Sequence, residues 1–263
     1  MSLFKVCIAE HVIGFSTESE MAAQYIMKHF RPLLLEASDP CTPDLYVMIE
    51  EGYGVPFVDY EVEILSGPET VVYVRKDYRI KADPTYYKAL IEVFDEFALK
   101  HALLNLYSAF LTSREWGLVI HSSCLVQGDE AYLFAGHSGA GKSTVARLSR
   151  PRPILSDEAT IIRLDAQGVL VYNSPFRSDT DMPSLTEPYR LQAVHLLHQA
   201  SYNKRFPLAK MDAVLKLLQR VFYWAHDPKE TKKLMTMCKT LVERVPVYEL
   251  SFQKNDTFWE EIS

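Results

Sequence analysis

The sequence predicts an α/β fold in two parts, a small α+β region over residues 1–83 and an α/β core over residues 84–263. Three observations lead there. The first eighty residues alternate short β-prone runs with turn residues such as Gly52, Gly54 and Ser66-Gly67-Pro68. A stretch near residues 84–113 repeats apolar residues at helical spacing. Then Gly136-His137-Ser138-Gly139-Ala140-Gly141-Lys142-Ser143 follows an apolar β-prone segment, Ala131 to Ala135, and precedes one that can begin a helix, Ser143 to Leu148.

In chain order, Phe4 to Ile8 and Val12 to Phe15 read as strands with Glu10-His11 between them. Ser16-Thr17 with Glu20 resembles a capping box opening a helix through about Phe30, with Met21, Tyr25 and Ile26 on one face. Leu45 to Ile49, Phe57 to Leu65, Val71 to Arg75 and Tyr78 to Ala82 are further strands. Pro84 sits in the first turn of a helix reaching Ser113, with Leu90, Val93, Phe94, Phe97, Leu103, Leu104, Tyr107 and Leu111 recurring. Tyr86, Tyr87 and Tyr107 are read as packing residues.

Gly117 to Leu125 and Ala131 to Ala135 form a hairpin through Gln127 to Glu130. The helix after Ser143 is short because Pro151 and Pro153 end it. Ile154-Leu155 begins a strand ending at Ser156-Asp157-Glu158, and Ile161 to Leu164 with Val169 to Tyr172 makes another hairpin. Asn173 to Tyr189 is a polar, Pro-containing loop of a length that usually carries function. Leu191 to His198 is a strand, Pro207 to about Ala225 a helix, Asp227 the cap of a helix to about Arg244, and Val247 to Phe252 the closing strand.

Composition bounds the function. With 48% hydrophobic and 24% charged residues the chain is ordinary globular protein with ample material for a core. A formal net charge of -6 argues against nucleic acid or an anionic membrane as partner. No run reaches the ~18 apolar residues of a membrane span. No secretory leader is read at Met1 to Lys5, and the expected location is the cytoplasm. Cys7, Cys41, Cys124 and Cys238 are scattered, which excludes the usual zinc spacings and suggests reduced thiols. His195 and His198 would face opposite sides of their strand, so they do not make a metal pair.

The Gly136–Ser143 segment is a complete phosphate-loop pattern. Its glycines let backbone N–H groups wrap an anion. Lys142 brings a full charge to the terminal phosphates, and the Ser143 hydroxyl can complete a Mg²⁺ shell, with Thr144 continuing the loop's grip. ATP and Mg²⁺ are the expected ligands. Such a loop needs a carboxylate on a neighbouring strand, and Asp157-Glu158 lies on the very next one. A helix of about eight residues is only about 12 Å long, enough to turn the chain back once. Arg177, and more weakly Lys204-Arg205, are further cations that could meet a phosphoryl group.

His121, the hairpin, Gly136 to Thr144 and Leu155-Ser156-Asp157-Glu158 together resemble the catalytic core of HPr serine kinase/phosphorylase. The chain is closer to smaller HPr-kinase-related proteins linked to peptide modification, including lasso-peptide kinases. The resemblance covers roughly Tyr87 to Trp259, and only the loop with its early acid is specific. It implies a nucleotide core akin to that of ATP-dependent phosphoenolpyruvate carboxykinase. It also implies that Asp157 is the general base, that Glu158 helps hold the metal, and that His121 tunes the base. The family has Asp where Glu158 stands. The Gly- and Arg-rich segments of the bifunctional enzyme are not recognisable, so phosphorolysis is not expected. The expected activity is transfer of the γ-phosphate to a serine of a protein or peptide, with homo-oligomerisation left open. Its rivals are a nucleotide-binding regulatory module and a small-molecule hydroxyl kinase.

Overall fold

The computed structural model describes every residue except Ala37, Asp179 and Ser263; Asp179 belongs to the long loop expected after Asn173 and lies outside the described residues. The protein is mixed α/β, with two sheets and few helices. It divides into two compact units, Met1–Ser113 and Arg114–Ser263, later than the boundary expected at residues 83/84.

In the first unit, β1 (Ser2–Ile8) and β2 (His11–Thr17) form an antiparallel hairpin. Residues alternate buried and half-buried along β2, the signature of a sheet with one covered face. Helix α1 (Glu20–His29) is capped by Ser19, whose Oγ accepts the Ala22 N–H at 2.8 Å. The cap lies beyond the expected Ser16-Thr17, because those residues finish β2 instead. Then come β3 (Leu45–Glu51), β4 (Glu63–Ser66), β5 (Val71–Arg75), β6 (Tyr78–Ala82) and β7 (Lys88–Val93). The sheet order is β1-β2-β3-β7-β6-β5-β4, with β3 parallel to both β2 and β7. Helix α2 (Glu96–Ser113) packs on β6, β7 and α1.

Two sequence expectations fail in this unit. The helix expected from Pro84 begins only at Glu96, and its first part is strand β7. Leu90, Val93, Phe94 and Phe97 suit a helical period, yet Ala89, Ile91 and Val93 also alternate and are the buried ones. A polar turn settles the choice, since Asp83 accepts the Thr85 N–H at 2.8 Å and that of Lys88 as well. The strand expected from Phe57 shrinks to Glu63–Ser66. Phe57 and Tyr60 instead cover the buried Arg75 guanidinium, at 5.1 and 6.0 Å, while Arg75 forms a two-bond pair with Asp77 at 2.6 and 2.8 Å.

The second unit holds β8 (Gly117–Gln127), β9 (Glu130–Ala135), α3 (Lys142–Leu148), β10 (Ile154–Ser156), β11 (Ala159–Asp165), β12 (Gly168–Tyr172), β13 (Tyr189–Gln199), β14 (Lys204–Pro207), α4 (Lys210–Leu218), α5 (Pro228–Arg244) and β15 (Val247–Phe252). A 3-10 turn at Asp256–Glu261 follows. The helix expected from Pro207 is displaced to α4, because residues up to Pro207 pair with β15 as an edge strand. The α5 cap is as expected: the Asp227 carboxylate accepts the Lys229 and Glu230 N–H groups.

Pairings β8–β9, β9–β13, β13–β12, β12–β11 and β11–β8 close a ring of strands. β13 runs parallel both to β9 in the ring and to β15 outside it, so the chain leaves all three at the same end. The core beneath that end gathers Phe134, Val145, Leu197, Leu250, Phe252, Phe258 and Trp259. Among the described residues no helix is long and apolar enough to cross a membrane.

Candidate functional site

The Gly136–Gly141 loop joins β9 to α3 at the exit end of the parallel strands. Gly139 and Gly141 take φ of +78° and +105°, which a side chain would strain. At Gly141 a Cβ would also sit 2.6 Å from the Phe252 ring, so the last strand of the fold presses against the loop from below. Gly139 has nothing within 4 Å of that position and faces open space. Gln199, at the end of β13, donates from Nε2 to the Gly139 carbonyl at 2.6 Å.

Lys142 is buried, and its ammonium donates to the Gly136 and His137 carbonyls at 3.2 Å each. Burial pushes its pKa down, as does nearby Arg220, while Glu158 opposes the shift. Among the described residues the ammonium thus leans on carbonyl oxygens for its direct bonds, inside a loop whose backbone turns around it. The Ser123 hydroxyl donates to the Lys142 carbonyl at 3.2 Å and ties the start of α3 to β8. Ser143 is exposed and Thr144 half-buried at the same mouth.

Asp157 and Glu158 lie between β10 and β11, beside that mouth, as the spacing implied. The Glu158 carbonyl accepts the Ser122 N–H at 3.0 Å, fixing the pair against β8. Beneath it, the Ser122 hydroxyl donates to Thr160 at 2.6 Å, and Thr160 meets Ser156 at 2.5 Å. This buried hydroxyl chain links β8, β10 and β11. Asp157 accepts the Ser178 N–H on Oδ1 at 2.9 Å and the Thr180 N–H on Oδ2 at 2.8 Å. Glu158 Oε2 accepts the Ser178 hydroxyl at 2.7 Å. The two acids therefore hold the start of the long loop.

His121, at the β8 crossing with β11, completes the ring of groups. Its pKa is pushed down to about 4, first by burial, then by Lys142 and Arg220, against Glu158. The ring is neutral at pH 7. It lies 5.3 Å from the Phe222 ring, and its backbone N–H reaches the Arg220 carbonyl at 2.7 Å. The segment after α4 is thereby stitched to the site.

One cavity of about 320 Å³ collects these groups: His121, Ser138, Gly139, Gly141, Lys142, Ser143, Thr144, Asp157, Glu158, Ser178 and Gln199. Of the expected site residues, Gly136, His137 and Ala140 support the loop rather than line the cavity. Ala140 is buried, and the His137 ring is paired with the Ser138 carbonyl at 2.6 Å. Among the described residues no group of three or more His, Cys, Asp or Glu could hold a metal alone. A divalent ion here would need oxygens from a ligand beside Ser143 and the acids. That is how Mg²⁺ is usually held with phosphates.

Arg177 departs from its expected role. It is neither a solvated loop residue nor free to meet a phosphoryl group. Its guanidinium is buried and donates to the Ser174, Ile154 and Leu155 carbonyls, to Asn173 Oδ1 and to Thr180 Oγ1. Burial lowers its pKa to about 10. Lys204 lies against the Phe206 ring at 4.7 Å and Arg205 over Tyr248 at 3.5 Å, and neither lines the cavity. His195 is buried and His198 exposed, so the two face apart as expected. Sequence reasoning missed Gln199, Ser178 and Arg220, each brought in by the fold from outside any local pattern.

Fold and site define a mixed α/β protein whose second unit carries a glycine loop, a buried lysine and a paired acid around one cavity. Residues 95–263 match the family described as SynChlorMet cassette protein ScmC, and the chain belongs to that family. No curated protein matches the chain.

Proposed function

We infer that the chain is an ATP- and Mg²⁺-dependent kinase that transfers the γ-phosphate to a serine hydroxyl of a protein or peptide, on a core of the HPr-kinase type. One observation carries this: the glycine loop with Lys142, the Asp157-Glu158 pair and His121 line one cavity. The loop suits an anion, since among the described residues its lysine bonds carbonyl oxygens that a phosphate could replace. Lys142 would neutralise the terminal phosphates, while the Ser143 hydroxyl and Glu158 would hold Mg²⁺. The metal, when bound, spreads charge from the transferring group.

Asp157 would take the acceptor's hydroxyl proton as the new P–O bond forms and the bond to the β-phosphate breaks, ADP leaving. A neutral His121 beside it adds no competing positive charge. A polypeptide acceptor fits the polar loop that Asp157 and Arg177 pin at one end and Asn173 holds by the Pro183 and Leu185 carbonyls, with Asp181, Ser184, Thr186 and Glu187 exposed. The two backbone bonds on Asp157 also favour a second reading, a nucleotide-gated switch in which Asp157 only anchors the loop.

Isothermal titration tests the nucleotide step. Lys142→Ala should weaken Mg-ATP binding by at least about tenfold, the scale of a lost charge-assisted contact. Equal binding by both proteins would overturn the reading. Labelled ATP with candidate polypeptides, read by mass spectrometry, tests the acceptor. Label found only in sugars, nucleosides or free amino acids would remove the peptide reading and keep the kinase.

A further inference from the structure

Helices α4 and α5 of the second unit enclose a surface groove of about 770 Å³, on a part of the unit that the candidate site does not use. Its floor is apolar, with Met211, Val214 and Met235 among the lining. Met211 is 67% exposed and Met235 43%, with Leu215 beside them at 53%. On α5 the lining residues Pro228, Thr231, Lys232, Met235, Thr236 and Lys239 recur at three- and four-residue intervals. That is one continuous stripe of a helix, roughly 16 Å long at 1.5 Å per residue. The opposite face of α5 is the buried one, carrying Leu234, Cys238 and Leu241. Exposed methionines in a groove between helices form a surface that can repack around an apolar helix face.

Charge selects the occupant. The whole chain is acidic at -6, but α5 carries five Lys or Arg against two Glu. Lys232 and Lys239 stand on the rim. The acid at the groove's end, Asp227, is already engaged in capping α5. We propose that this groove docks an acidic amphipathic helix of a partner polypeptide. A second copy of this chain fits poorly, because none of α1 to α5 carries more acidic than basic residues. A flat anionic bilayer would leave the concave floor unfilled. The chain leaves α4 through Gln219 to Phe222, where the Arg220 carbonyl holds the His121 N–H. A docked helix therefore lies on the element adjoining the candidate site.

The test is fluorescence anisotropy on the full-length protein without nucleotide. The probe is a labelled synthetic helix of about four turns, with Leu at i, i+3, i+4 and i+7 and Glu on the remaining face. Controls are a peptide of the same composition with shuffled Leu spacing, and one with Lys replacing Glu. Saturable binding of the first peptide is expected, weaker by about tenfold or more for either control and for the Met235→Glu and Lys232→Glu/Lys239→Glu proteins. These positions are exposed, and unchanged thermal midpoints will show that the variants fold. Lys142→Ala should bind the peptide like the parent, so loss of docking and loss of nucleotide binding are read apart. Equal binding of the shuffled peptide, indifference to the variants, or no binding would overturn the proposal. So would self-association abolished by Met235→Glu, or binding to phosphatidylglycerol vesicles that the peptide does not displace.

Discussion

Asp157 is asked to do two things by the same two oxygens. It holds Ser178 and Thr180 through backbone N–H groups, and in the proposed reaction it takes a proton. Asp157→Asn keeps the shape but turns an amide toward one of those N–H groups. Transfer should fall by about 10² or more, the scale for a lost base, while Mg-ATP affinity stays within a few-fold. Transfer near the parent rate in a radiolabel assay would leave Asp157 the anchoring role alone and show that it is not the base. A second residue-scale outcome concerns His195, buried with its ring 5.1 Å from Phe134 and 5.7 Å from Tyr248. Burial lowers its pKa from 6.5 to about 3. Between those values the unfolded chain binds a proton that the folded chain refuses. Stability from this group is therefore whole above pH 6.5 and lost as pH falls toward 3. At pH 5 the loss is about 2 kcal/mol, at 1.36 kcal/mol per unit. His195→Phe should flatten that part of the pH profile in urea denaturation; a parallel profile would refute the assignment. The glycine loop, Lys142 and the acid pair were legible because each belongs to a local pattern with its own chemistry, whereas His121 came only with the family resemblance. Gln199, Ser178 and Arg220 had no such pattern, since they reach the site through strand ends and turns that only the folded sheet brings near.

At the scale of elements, Arg177 shows how a loop can be structured from within. Its guanidinium donates to carbonyls of β10 and of the chain after β12, so it fastens the strand just before Asp157 to the loop that Asp157 holds. Arg177→Ala would leave several buried acceptors unpaired, at about 1–3 kcal/mol each before relaxation. The expected result is a loss of about 3 kcal/mol or more in chemical denaturation, along with easier proteolysis between Ser178 and Tyr189. Unchanged stability with a selective loss of turnover would instead return Arg177 to the chemistry. The element errors each have a physical cause. At residues 88–93 the two periods coincide, and the turn at Asp83 chooses the strand. At residues 204–207 a free edge of β15 recruits the chain before α4 begins. At residues 57–62 a buried ion pair takes the aromatic side chains that had suggested a strand. The last two outcomes are set by partners distant in sequence, the first by a turn five residues away. Strands such as Val71–Arg75, Tyr78–Ala82 and Val247–Phe252 were readable because alternation and flanking turns alone define them.

Over the whole molecule, the family match begins at residue 95, where α2 starts, yet α2 packs within the first unit. The matched stretch and the compact second unit are thus not the same piece of chain. Hydrogen exchange with saturating Mg-ATP should separate their roles. Added protection is expected in β8, β9, α3, β10 and residues 177–180, all in the second unit, with strands β1 to β3 unchanged. At 100 times Kd the ligand should add about 2.7 kcal/mol to the stability of the unit that binds it. Protection appearing in the first sheet instead would show that the nucleotide site is misassigned.

The brevity of the path from the loop to the acids has one more consequence. Between Lys142 and Asp157 lie only the rest of α3, the connector of residues 149–153 and the three-residue β10. One residue added to α3 turns everything after it by about 100°, and one added to β10 sends Asp157 to the other face of the sheet. The connector is held at both ends, since the Ser149 hydroxyl accepts the Trp259 indole N–H at 2.9 Å and the Pro153 carbonyl accepts the Val126 N–H at 2.9 Å. Selection there acts on chain length as well as on residue identity. Among descendants of this chain, insertions and deletions should collect in residues 53–62 and 181–188, and the count of residues between the glycine loop and the acid pair should stay fixed.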